Sequence, residues 1–420
     1  MTAGTARQRA RPSRGPLVKG PLGKGPLVGR PARQEARRGA HRRSAAAART
    51  AHRHRLGEPR PLPGGAGESA VAGFCARWLG ERGFERHKLE RRPGRPSLVA
   101  VARGTGGGRS LMLNGHLDTV AYGTYDGDAL TPRIHDGKIY GRGAFDMKGG
   151  IAAMMAAAVR ATTVGGPLRG DVILACVADE EHASFGTEEV LERFTADAAV
   201  VTEPSLLEVT LAHKGFAWFE VEVLGRAAHG SRPDLGVDAI AKAGHFLVAL
   251  EELGRRLAAS GGHRLLGPGI VHASLIEGGE GASTYPARCR ITIERRTVPG
   301  ETALTVRAEL IEILDRLAST VPEFAYRLRE GLHREPFEAD PDSAIARILL
   351  RQAERALGHP PVIRAEPFWT DCALLARAGI PCLLFGVDGG GAHADTEWAD
   401  IASVHRVTDV LAATITEFCA

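Results

Sequence analysis

The chain has 420 residues, 44% hydrophobic and 25% charged, longer than one hydrophobic core comfortably serves, so two domains are expected. Its formal charge of +5 is lopsided: residues 1–60 carry 16 Lys/Arg against two Asp/Glu, a charge of +14, while the other 360 carry 38 against 47, a charge of −9. An acidic body argues against a nucleic-acid enzyme, no apolar run approaches the roughly 18 residues of a membrane span, and the basic start lacks the apolar stretch of a secretory signal.

In chain order, residues 1–60 are rich in Arg, Ala, Gly and Pro, with Gly-Pro-Leu repeated at Gly15, Gly20 and Gly25. They read as a disordered, low-complexity basic extension; an arm touching polyanions, an inert extension and residues upstream of the true start all stay open. Residues 61–214 read as the first part of a catalytic domain. Val71, Phe74, Cys75, Trp78 and Leu79 have helical spacing over 69–84, and strands are expected at 110–114, 171–178 and 197–202, with an Ala/Met-rich helix over 150–162. The glycines of 104–108 read as a hairpin turn between strands. Residues 215–331 change character. Strands at 216–224, 269–276, 288–296 and 325–329 and helices at 237–257 and 303–317 give the order βαββαβ, a ferredoxin-like unit. The first pattern resumes over 332–420, with a helix at 343–357 and a strand at 382–385. The expected fold is therefore α/β: a mixed sheet covered by helices, interrupted by a smaller inserted domain. The six cysteines, Cys75, Cys176, Cys289, Cys372, Cys382 and Cys419, form no CxxC pair and read as buried thiols in a reducing compartment, so a cytoplasmic location is expected.

Candidate chemistry sits where apolar strands end. His116 and Asp118 follow one strand in NGHLD, and their spacing of two puts both side chains on one side of extended chain. Asp146 lies among glycines in GRGAFDMKGG, where a helix N-cap is the plainer reading. Asp179, Glu180 and Glu181 repel one another unless cations hold them or solvent covers them; one glutamate would bind metal and the other take a proton from a metal-activated water. Glu203 ends a third strand in VTEPS. His393 sits in the glycine-rich GVDGGGAHAD, which lacks the Lys-Ser/Thr ending of a phosphate cradle. Two histidines with three carboxylates suit zinc, cobalt or manganese better than calcium or magnesium, and can hold a pair of ions. Gly-x-Ser-x-Gly and HExxH are both missing, which argues against a serine hydrolase or single-zinc protease.

LNGHLDTV, YGRGAFDMKGG, ADEEHASFGT, VTEPS, GRAAHGSRPDLGVDAI, ERRTVPGE and GAHADTEW, in this order, resemble the M20 family of metallopeptidases and deacylases from about Gly64 to the C-terminus. The resemblance implies a zinc-peptidase-like catalytic domain with a lid or dimerisation domain, and a homodimer formed through that lid. It implies that Asp146 bridges two divalent ions, zinc first, completed by His116 and Glu203 on one side and Glu181 and His393 on the other. Asp118 would orient His116, Glu180 would act as general base and acid, and His229 would reach the partner's site to stabilise the oxyanion. Arg296 would grip a substrate carboxylate, with Arg295 beside it as the rival. Glu397 fits the pattern without a role. The implied reaction is hydrolysis of an N-acyl amino acid or small peptide-like amide, acetylornithine deacetylase-like or desuccinylase-like. A dipeptidase or carboxypeptidase is the alternative, and a catalytically silent ligand-binding homologue the reading from another class.

Overall fold

A computed structural model describes residues 67–164 and 167–420; the basic extension expected over 1–60 lies outside the described residues. The first stretch runs α1 (Ser69–Gly80), β1 (Glu85–Leu89), β2 (Ser97–Ala102), β3 (Leu111–His116), β4 (Arg133–His135), β5 (Lys138–Tyr140), α2 (Gly149–Val164), β6 (Val172–Val177), α3 (Phe185–Leu191), β7 (Ala198–Val201) and β8 (Val209–His213). The inserted stretch is β9 (Gly215–Leu224), α4 (Ala239–Ala259), β10 (Ile270–Gly278), β11 (Arg288–Thr297), α5 (Ala303–Thr320) and β12 (Ala325–Arg334). The return is β13 (Phe337–Glu338), α6 (Ala344–Leu357), β14 (Ile363–Glu366), α7 (Cys372–Arg377), β15 (Cys382–Leu384), β16 (Gly389–Gly390), β17 (Trp398–Asp400) and α8 (Ile401–Phe418).

The central mixed sheet has the order β1-β2-β6-β3-β7-β15-β8-β13, with β14 also pairing β8. Its middle strands β6, β3 and β7 are mutually parallel, so their C-terminal ends emerge on one edge. Every residue of β6 is buried, the continuous apolar run that a sheet covered on both faces requires. Against it, Ala153, Met154, Ala157, Ala158 and Ala161 of α2 are buried, and α8 packs on both α2 and α6. At Gly150 a Cβ would stand 2.0 Å from the Thr202 carbonyl oxygen, so only glycine lets α2 start this close to the strand end.

Two local expectations are corrected. The helix expected to residue 84 stops at Gly80, because Gly83, at φ +86°, turns the chain into β1. The glycines of 104–108 are not a hairpin turn: β6 lies between β2 and β3, and the loop crosses it. There Thr105 and Gly106 donate their N–H groups to the carbonyls of Leu168 and Arg169 at 2.9 and 2.8 Å.

The inserted unit is βαββαβ as expected, an antiparallel sheet of order β10-β11-β9-β12 under α4 and α5. Phe219, Val221 and Val223 alternate inward on β9 against Phe246 and Leu250 of α4 and Leu310 and Leu314 of α5, forming a second core. Asp238 caps α4 by accepting from the Ala241 N–H at 2.9 Å, and Thr302 with Thr305 makes a capping box for α5. A third, small sheet, β16-β17-β5-β4, flanks the loops that carry Asp146 and His393. The six cysteines are buried and unbridged, and among the described residues no helix is long and apolar enough to cross a membrane.

Candidate metal centre

Three adjacent parallel strands deliver three groups to one edge: His116 is the last residue of β3, Glu180 and Glu181 follow β6, and Glu203 follows β7. His116 Nδ1 sits 3.1 Å from the Asp118 carbonyl oxygen and 3.5 Å from its carboxylate. With Nδ1–H donating there, Nε2 is left as the nitrogen that could serve a metal ion, and it faces Asp146 Oδ1 at 3.1 Å and Glu203 Oε1 at 3.4 Å. The Asp118 carboxylate also accepts the N–H groups of Glu180 and Glu181, at 3.2 and 3.1 Å, so one side chain orients the histidine and the glutamate turn together. From the far side, His393 Nε2 stands 3.3 Å from Asp146 Oδ2 and 3.0 Å from Glu181 Oε2. The peptide Asp146–Met147 is cis.

The donor set fits metal ions. Two ligands each about 2.0–2.1 Å from one tetrahedral ion lie roughly 3.3 Å apart. The separations of 3.3 Å from His393 to Asp146 and 3.4 Å from His116 to Glu203 match that spacing, and those of 3.0 and 3.1 Å fall a little short of it. Glu181 Oε1 is buried without a hydrogen-bond partner among the described residues. The protonation energetics point the same way. Burial pushes Glu180 and Glu203 well above the usual carboxylate range, reinforced for Glu180 by the Glu203 charge. Burial opposes a charged His116, yet Glu203, Asp118 and Asp146 outweigh it and hold the imidazole well above its ordinary value. Hydrogen bonds to Asp146 and Glu181 raise His393 to about 10. A cluster that holds protons this tightly is one in which cations can take their place.

The cluster opens on a cavity of about 530 Å³ whose further walls include Phe145, Leu206, Arg364, Phe368 and Trp369. His229 and Arg296 do not line it. His229 is exposed on the inserted domain, its Nδ1 2.8 Å from Ser231 Oγ. Arg296 pairs with Glu294 at 2.9 Å over the Phe216 ring. Arg295 is fully buried, bound by Glu301 at 2.5 Å, Glu309 at 3.3 Å and the Arg296 carbonyl at 2.7 Å, which leaves its guanidinium committed within the lid.

Residues 112–417 match the sequence family described as Peptidase family M20/M25/M40. The chain belongs to this family. Acetylornithine deacetylase of Myxococcus xanthus is 32% identical to this M20 chain over 358 residues, covering 83% of it and 89% of the relative. N-formyl-4-amino-5-aminomethyl-2-methylpyrimidine deformylase of Bacillus subtilis is 27% identical over 390 residues, 86% and 91% of the two chains. An aminopeptidase structure from Bacillus cereus superposes with a TM-score of 0.72 at 20% identity over 84% of this chain and 94% of that one. A dinuclear metal-binding M20 peptidase from Bacillus subtilis does so at 0.64 and 17% identity, over 84% and 93%. These two likenesses are of fold. The M20 chain is thus a metal-dependent amide hydrolase with a residue cluster able to hold metal.

Several residues around this M20 site escape sequence reasoning. Glu397 is fully buried and accepts the N–H groups of Gly143, Phe145 and Asp146, each at 2.9 Å. Arg95 binds Glu68 and Asp179. Thr187 donates to Asp371 at 2.6 Å and accepts from Asn114 at 3.2 Å, and burial pushes Asp371 up to about 6. Of these, Glu397, four residues after His393, and Asp179, in the run of three acids, carried a sequence signal.

Proposed function

We propose that this M20 hydrolase removes an acyl group from an N-acyl amino acid, with acetylornithine deacetylase-like or desuccinylase-like activity as the first reading. The supporting observation is the divided carboxylate of Asp146, with Oδ1 toward His116 and Oδ2 toward His393, because a carboxylate so divided can serve two ions. His116 and Glu203 complete one site, Glu181 and His393 the other. The mixed nitrogen and oxygen donors suit zinc first, then cobalt or manganese. Bound there, the ions supply Lewis-acid polarisation of the amide carbonyl and make a water acidic enough to attack it.

The chain's own groups do the rest. Glu180 lines the cavity next to Glu181, a place from which its carboxylate could take a proton from the attacking water and return it to the leaving amine. Asp118 keeps His116 in the tautomer a ligand needs. Arg296 would grip a substrate carboxylate with its planar fork. His229, exposed and not lining its own cavity, would stabilise the oxyanion in a partner's site. That requires a homodimer through the lid, and β10 offers the surface: an edge strand, exposed at eight of nine positions, bearing Ile270, Leu275 and Ile276. Six unbridged cysteines fit a reducing compartment, the cytoplasm.

The Myxococcus xanthus relative favours deacylation, while the 530 Å³ cavity also admits a dipeptide, which keeps a dipeptidase or carboxypeptidase as the second reading. The test is amide hydrolysis by zinc- or cobalt-loaded protein over N-acetyl, N-formyl and N-succinyl amino acids and dipeptides, with metal-stripped protein as control. Metal-dependent release of a simple acyl acid supports the first reading, and release of an amino acid from a dipeptide the second. No turnover with two ions bound would favour a ligand-binding role.

A further inference from the structure

We infer that Glu397, locked to Arg142, is a positioning residue for the second ion: it holds the backbone of Asp146 and the loop of His393 in the mutual placement that a paired site requires. The inference rests on the metal assignment proposed above. Glu397 Oε2 accepts from Arg142 Nη1 at 2.8 Å and the Gly143 N–H at 2.9 Å, and Oε1 accepts from the N–H groups of Phe145 and Asp146, both at 2.9 Å. Four donors fill the carboxylate's lone-pair positions. The Glu397 carbonyl accepts in addition from the Gly141 N–H at 3.2 Å and Tyr125 Oη at 3.3 Å. Arg142 returns the link, donating through Nη2 to the carbonyl of Ala394, next to His393, at 2.7 Å. Segments 141–146 and 391–397 are therefore tied together through two buried charges of opposite sign.

The loop of His393 has little slack of its own. Gly391 sits at φ +78°, and a Cβ there would meet the Thr396 carbonyl oxygen at 1.9 Å, so the turn closes only on glycine. His393 itself is held at φ +61°, a conformation non-glycine residues keep only when their surroundings impose it. The two halves of the site depend on the clamp unequally. His116 belongs to β3 and Glu203 follows β7, both anchored by the central sheet. His393 reaches Asp146 and Glu181 only from the loop that Glu397 closes. Loss of the clamp should therefore weaken the ion on the His393 side more than the ion on the His116 side.

Titration of metal-stripped, full-length protein with Co²⁺, followed by calorimetry and visible absorption, tests this. Glu397→Gln keeps the side-chain volume but turns an NH₂ toward backbone donors. The wild type should bind two ions; the variant should bind the first within about threefold of wild type and the second 10–100-fold more weakly, the range seen when partners of metal ligands are removed. Glu397→Asp retains the charge with shorter reach, so its second-ion loss should be smaller; it carries the test if the Gln variant does not fold. Folded variants that bind both ions with wild-type affinity, or lose both equally, would overturn the inference. A wild type that binds fewer than two ions would instead overturn the metal assignment, and this inference with it.

Discussion

Arg95 Nη1 lies 3.1 Å from Asp179 Oδ1, at the head of the turn that carries Glu180 and Glu181. The same guanidinium binds Glu68 through Nε at 2.7 and 2.6 Å, and both carboxylates are buried. Asp179 sits at φ +70°, and its carbonyl accepts the N–H groups of Ala183 and Ser184 at 3.0 and 2.6 Å. Arg95→Leu leaves two buried carboxylates unpaired and should cost about 3–5 kcal/mol of stability. Asp179→Asn should recover part of that in a double-mutant cycle read by urea unfolding, with a coupling of about 1–3 kcal/mol. Strictly additive losses would show that the pair does not act as a unit.

Glu180→Ala removes the proposed proton carrier without touching the five proposed metal ligands. Metal content should stay at two ions while turnover falls by about 10²–10⁴-fold. A wild-type rate in the metal-loaded variant would rule out this role for Glu180.

His229→Ala should reduce turnover on the preferred amide by about 10²-fold or more with metal content unchanged, as removal of an oxyanion donor does. Mixing this variant with Glu180→Ala should restore partial activity if each site takes its histidine from a partner. An unchanged rate in His229→Ala alone would eliminate the shared site.

Legibility followed the physics of each element. The strands were readable because β6 and β7 are buried on both faces and so are unbroken apolar runs; His116, Glu180, Glu181 and Glu203 stood out because each ends or follows such a run, whereas Asp146 and His393 were marked only by the glycines around them. What lay outside the sequence's reach was long-range. Nothing local in 104–108 says that β6 inserts between β2 and β3. Glu397 acts on backbone N–H groups, which carry no residue-type pattern, and Arg95 meets Asp179 across 84 positions of chain. Arg295 and Arg296 are adjacent basic residues that only burial separates.

His213, at the end of β8, lies fully buried beside the rings of Phe337 and Trp369, and burial lowers its pKa to about 4. The unfolded chain therefore binds this proton more readily than the folded one. Its contribution is complete above about pH 6.5 and is lost as pH falls toward 4, a loss on the order of 3 kcal/mol. Asp179 and Asp371, both raised to about 6 by burial, bias stability in the opposite sense over this range, so the effect must be read as a difference. Unfolding free energies of wild type and His213→Gln from pH 7 to 4 should converge as pH falls; parallel curves would mean that His213 is not the group titrating.

Phe246, on α4, is fully buried in the core of the inserted domain, a cluster distinct from the one around the central sheet. Truncation to Ala removes most of a ring and leaves a cavity, at a cost of about 3–5 kcal/mol. If the two cores are energetically separable, the loss should appear as faster amide hydrogen exchange in β9–β12, α4 and α5, with β3 and β6 still protected and two ions still bound. The contacts most able to defeat this separation are those of Phe216 and Trp218: both lie on β9, yet they pack with the central core. Equal acceleration in β3 and β6 would show that these two aromatics couple the cores into one unit, and metal affinity should then fall with lid stability.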